Sequence, residues 1–168
     1  RCALNSLVNK ETLIAQRDAL RHRGPNDKGV WYSNDSRIGL AHRRLSIIDI
    51  SSSGHQPMQN ETGEYCITFN GEIYNFKDLR KELRSKGYSF KSNSDTEVIL
   101  ASYIEWGESC LQRLNGMFSF GIYDSIKRKL FLARDRAGEK PLYYILKDKE
   151  IVFASTLKAL FADASIDR

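Results

Sequence analysis

Residues 117–135 read MFSFGIYDSIKRKLFLARD, and both ends of the stretch follow one pattern. Aromatic and aliphatic residues crowd 117–123 and 130–133. Such types suit a half-buried pleated surface, and the polar SIK at 125–127 suits a turn. The stretch predicts an antiparallel hairpin. Similar runs occur outward from it, at GVWYS (29–33), RIGLAHRRLSII (37–48), EYCITFN (64–70), PLYYILK (141–147) and EIVFAS (150–155). The last three strands predict a meander.

Helical patterns interrupt the strands. The first covers about Lys10 to His22, with Leu13, Ile14, Arg17 and Leu20 near one face and Gly24–Pro25 as its stop. The second starts at Asn75, a good N-cap, sets Phe76, Leu79 and Leu83 on one stripe, and halts at Gly87. The third opens with Ser94 and Glu97 at capping-box spacing and runs to Gly107. A short fourth lies around Leu111, and a last one follows Ser155 as TLKALFA. Strands, then a block of helices, then strands again predict an α+β domain with helices outside sheets.

The 168-residue chain is the size of one domain, and 41% hydrophobic with 28% charged residues is a globular balance. Its cysteines, Cys2, Cys66 and Cys110, are odd in number and far apart. They favour neither a disulfide framework nor a zinc site, and point to a reducing, cytoplasmic setting. His22, His42 and His55 lack metal-ligand spacing, so no metal is expected. The net charge of +5 is scattered over the chain, which argues against a nucleic-acid partner. No apolar run has membrane-spanning length, and the first residues lack the layout of a signal peptide.

Four short stretches could carry chemistry. In FNGEIYNF (69–76), Asn70 and Gly71 end an apolar strand. Asn-Gly is ordinary turn chemistry, yet an amide side chain beside a glycine N–H also makes a two-donor oxyanion hole. Arg44, late in a strand, is either a core-edge ion pair or a two-bond grip on a carboxylate. Asp95, in a first helical turn, either complements the helix dipole or holds an ammonium group. Cys2 is either structural or, if it carries a free α-amine, a nucleophile with its own base. That amine has an ordinary pKa of about 7.7–8.0, near the thiol's value of about 8.5. Together these roles describe hydrolysis of an amide on an α-amino acid.

The stretches LRHRGPNDKG, GLAHRRLSIID, HQPM, FNGEIYNFKDLRKEL, SDTEVIL, LNGMFSFGIYD, ARDRAGEKPLYY and FASTLKAL span nearly the whole chain in order. Jointly they resemble the class II, N-terminal-nucleophile glutamine amidotransferase domain, above all that of the glutamine-hydrolysing asparagine synthetases. The resemblance implies a four-layer αββα sandwich of two antiparallel sheets, the Ntn-hydrolase architecture. It also implies hydrolysis of glutamine to glutamate and ammonia through a cysteinyl thioester. By position it makes Cys2 the nucleophile and Asn70 with Gly71 the oxyanion hole. Arg44 then takes the α-carboxylate, and Glu72 with Asp95 the α-ammonium. Arg23 supports the nucleophile's end of the chain, and Ile47 and Ile48 line the pocket with backbone.

Departures from the family pattern are Arg1 where a removable methionine is usual, Ala3 for glycine, Asn26 for aspartate and Thr156 for glutamate. A permanently retained Arg1 would block Cys2 and leave a non-catalytic scaffold, the alternative reading. The resemblance implies an amidotransferase domain over 1–160, with 161–168 a tail or the start of a linker. The implied partner is a synthetase domain, in cis or trans, which would hold ATP and magnesium. No cofactor is expected in this domain, and a homodimer is possible.

Overall fold

The computed structural model describes residues 2–3, 7–45, 52–147 and 149–166. The hairpin at 117–135 forms as β6 (Gly116–Asp124) and β7 (Lys129–Arg134), in register from Ser119 opposite Arg134 to Asp124 opposite Lys129. Two more strands, β4 (Met58–Gln59) and β5 (Tyr65–Ile73), complete an antiparallel sheet of order β4-β5-β6-β7. Strand alternation gives this sheet two apolar faces. Ile67, Phe69 and Ile73 of β5, with Phe118, Phe120 and Ile122 of β6, pack against α2 (Phe76–Ser85) and α3 (Asp95–Trp106). The opposite face turns Cys66 and Tyr123 towards Ile38, Leu40, Trp31 and Phe153 of a second β layer.

That layer comprises a hairpin of β2 (Asp27–Tyr32) and β3 (Gly39–Arg44) and a three-stranded piece of order β1-β9-β8. The latter joins β1 (Cys2–Ala3), β8 (Tyr143–Lys147) and β9 (Glu150–Ala154). Outside it lie α1 (Lys10–Asp18), against β3, and α4 (Leu157–Leu160), against β9 and α1. The layer order is therefore helix, sheet, sheet, helix, an α+β sandwich. Gly121 brings the two sheets together, since a Cβ there would lie 2.9 Å from the Phe153 ring.

Four sequence expectations need correction. The meander does not form, because β7 stays in one sheet while β8 and β9 belong to the other. Asp135 makes the break. Its carboxylate accepts the N–H groups of Phe118, Glu139 and Lys140, which turns the chain out of the first sheet. The first helix ends at Asp18 rather than His22, and i→i−3 bonds at Leu20, Arg21 and Arg23 tighten its exit. It buries Leu13 and Gln16 and leaves Ile14 exposed.

Asn75 does not cap α2 through its side chain. It bridges instead to Arg113 and Asn115, donating from Nδ2 to the first's carbonyl and accepting the second's N–H. The fourth helix is a 3₁₀ segment, Gly107–Gln112. Ser94 does cap α3 by accepting the Glu97 N–H, while the Glu97 carboxylate reaches back to the N–H groups of Lys91 and Ser92. No helix among the described residues is long and apolar enough to cross a membrane.

Candidate active site

A cavity of about 450 Å³ opens between the two β layers, within the size range of small-molecule sites. Arg23, Arg44, Asn70, Gly71, Glu72 and Asp95 all line it. Ile47 and Ile48 lie outside the described residues, as does the side chain of Cys2. The backbone of Cys2 pairs antiparallel with Ile151. Further along β9 and just past its end, Phe153, Ala154 and Ser155 line the cavity.

Each lining residue has a local reason for its place. Arg44 ends β3 and is buried. Its guanidinium lies against Gly54, where a Cβ would come within 2.0 Å of Nη2. Asp95 is the first residue of α3 and is buried; it accepts the Ile73 N–H at 3.0 Å. Burial pushes its carboxyl above the ordinary value, opposed by the N–H groups of Ile73, Asp95 itself and Thr96, while Glu72 adds to the rise. Arg23 donates to the Ser155 carbonyl at 3.3 Å and so ties the RHRGP turn to the end of β9.

The outer edge of β5 organises the centre of the site. Tyr65 exchanges bonds with Asn60 there, and Ile67 pairs with β4. Past Ile67, ahead of the start of β4, side chains take over. The Phe69 N–H donates to Gln56 Oε1 at 2.7 Å, and His42 Nε2 donates to the Phe69 carbonyl at 3.0 Å. Two residues after Gly71, the Ile73 N–H meets Asp95.

Gly71 stands between these two anchored residues. Its β6 neighbour Phe118 turns both backbone groups to Asp135 on the far side, its N–H donating to the Asp135 carboxylate and its carbonyl accepting the Asp135 N–H. The Gly71–Phe118 pair is thus a non-hydrogen-bonded one, and alternation directs the Gly71 N–H to the free edge. Its φ of 152° and its packing leave no room for a side chain, because a Cβ would sit 2.1 Å from the Met117 carbonyl oxygen. Asn70 faces the space between the layers, as Thr68 does when it bonds the Ala41 carbonyl. The Asn70 Nδ2 is buried without a hydrogen-bond partner. A buried unmet donor costs about 1–3 kcal/mol.

The sequence alone gives Gln56 and His42 no role. Its HQPM stretch is the one signal that Gln56 carries in the sequence. His42 offers a metal ligand's chemistry without a metal ligand's spacing; burial pulls its imidazole down to about 4, against the opposing Phe69 carbonyl bond. It is a neutral donor at working pH. Among the described residues, no group of His, Cys, Asp or Glu gathers to hold a metal ion. Burial raises the thiol pKa of Cys110 to about 11 and that of Cys66 higher still. Neither buried thiol is a ready nucleophile.

A family model described as a glutamine amidotransferase domain matches residues 2–168. The chain is 44% identical over 159 residues to asparagine synthetase [glutamine-hydrolyzing] 3 of Bacillus subtilis (strain 168), covering 94% of this chain and 25% of that protein. It is 44% identical over 169 residues to asparagine synthetase [glutamine-hydrolyzing] 1 of the same organism, covering 98% and 26%. The chain thus spans about a quarter of the length of these curated relatives. Among solved structures, the glutamine phosphoribosylpyrophosphate amidotransferase from B. subtilis superposes with a TM-score of 0.77 over 90% of this chain and 40% of that one. Its sequence identity is 19%, so it shares the fold.

Proposed function

Because the chain belongs to the glutamine amidotransferase domain family, we propose that the cavity hydrolyses glutamine to glutamate and ammonia through a thioester on Cys2. The observation that carries this reading is the buried, unpartnered Asn70 Nδ2 in a cavity that also holds Arg44 and Asp95. Arg44 takes the α-carboxylate, and Asp95 with Glu72 takes the α-ammonium, the two ends of a free amino acid. Ile47 and Ile48, outside the described residues, keep the role the resemblance implies, backbone contacts to the substrate. The γ-carbonyl oxygen then lies against Asn70 Nδ2 and the Gly71 N–H.

The chemistry follows from those positions. The Cys2 α-amine takes the thiol proton, and sulfur attacks the carbonyl carbon of the side-chain amide to give a tetrahedral oxyanion held by the two donors. The C–N bond breaks, and the leaving nitrogen takes the proton back from the α-ammonium as ammonia. Water, deprotonated by the same amine, then cleaves the thioester, releasing glutamate and restoring the thiol. Arg23 steadies the end of β9 alongside this terminus. The reaction requires a free amine on Cys2, so a chain that kept Arg1 would be a scaffold without glutaminase activity.

The names of the relatives support asparagine synthesis as the use of the ammonia. In this reading an ATP-dependent synthetase domain is the partner. Calorimetry with glutamine tests the binding half. Arg44→Ala and Asp95→Asn should each weaken binding tenfold or more while the melting temperature stays within a few degrees. Unchanged affinity in both variants would refute the assignment.

A further inference from the structure

The edge of β5 carries a second tier of residues beneath the proposed oxyanion hole. From it we propose that Gln56 is a positioning residue which, with Thr96, sets the oxyanion donors in place; this rests on the glutaminase reading above. Gln56 is buried. Its Oε1 accepts the Phe69 N–H at 2.7 Å, and its Nε2 donates to Thr96 Oγ1 at 3.2 Å. The orientation of the amide is fixed by chemistry, because a backbone N–H can meet only the oxygen end. Thr96 therefore holds the nitrogen end and prevents the amide from turning over.

The bond to Phe69 replaces a missing strand. β4 begins only at Met58, which pairs with Ile67, while its other residue, Gln59, pairs with Cys66. The next outward-facing peptide groups, those of Phe69, would otherwise be unpaired beside a cavity. Gln56 takes the N–H and His42 takes the carbonyl. That carbonyl belongs to the peptide whose nitrogen is Asn70. Movement of Phe69 would carry the Asn70 amide and the Gly71 N–H with it. Thr96 lies directly after Asp95, so the same side chain links the oxyanion strand to the start of α3.

The loop holding Gln56 is itself well docked. His55 Nδ1 and Asp27 Oδ2 are 2.7 Å apart, and a Cβ on Gly29 would fall 2.0 Å from the Gln56 carbonyl oxygen. The bridge thus runs in unbroken contact from β2 through to β5 and α3. Displacing reacting groups by about 1 Å can cost about a hundredfold in rate.

Steady-state glutamate release by the full chain starting at Cys2 tests the proposal, with melting temperature as the folding control. Gln56→Met keeps the volume but removes both hydrogen bonds. It should lower kcat tenfold or more while KM for glutamine stays within about threefold. Thr96→Val should lower kcat by less, Thr96→Ser should restore it, and the Gln56→Met/Thr96→Val double variant should match Gln56→Met alone. If Gln56→Met fails to fold, the Thr96→Val and Thr96→Ser pair decides by the same split of kcat from KM. Unchanged kcat, a KM rise as large as the kcat fall, or losses that multiply in the double variant would each overturn the positioning role. An inactive parent would overturn the glutaminase reading first, and this inference with it.

Discussion

Asn70 sets folding against chemistry within one side chain. A buried donor with no partner weakens the fold, whereas a transition-state oxyanion would satisfy it. Asn70→Ala should therefore lower turnover by about a hundred- to a thousandfold and leave the melting temperature unchanged or raised. A large loss of stability would mean that Asn70 is a structural residue. Gly54 gives the complementary case. A methyl group there displaces the tip of Arg44 rather than any backbone atom. Gly54→Ala should thus raise KM for glutamine about tenfold, equivalent to about 1.4 kcal/mol of binding, with little change in melting temperature. An unaltered KM would show that Arg44 does not hold the substrate. The residues placed in the cavity were legible because their chemistry is distinctive: a guanidinium, an acid at a helix start, an Asn-Gly pair. Gln56 was not, since a glutamine declares no role until its two partners are known.

At the scale of elements, Asp135 decides where one sheet ends. Burial alone would raise its carboxyl, but the N–H groups of Lys140, Glu139, Phe118 and Gly138 hold it at about 2, below the ordinary 3.8. A depressed folded-state value contributes stability in full above about pH 4, lost as pH falls through 2. Asp135→Asn should cost about 2–3 kcal/mol near neutral pH. The gap from the parent should close as both are titrated towards pH 2 in denaturant melts. A gap that is constant with pH would contradict the cradle. The same residue explains the failed meander: strand propensity identified β7, β8 and β9, but a side-chain carboxylate determined which sheet each joined. Asn75 misled for a related reason. Its cap-like position was visible in the sequence, while its distant partners at Arg113 and Asn115 were not.

Across the whole molecule, hydrophobic alternation in β5 and β6 separates two functions. One face builds the core under α2 and α3, and the other opens onto the cavity between the layers. The order of strands and helices made an α+β class readable, and the motif series made the layer order readable. Side-chain bonds that link distant segments had no signature in either. The central claim is glutamine hydrolysis by a terminal cysteine. It is tested most directly by measuring glutamate release from two samples verified by intact mass, one starting at Cys2 and one retaining Arg1. The chain starting at Cys2 should release glutamate and, with Cys2→Ala, should not; the chain retaining Arg1 should be inactive. Equal release from both samples, or none from the verified Cys2 chain, would contradict it.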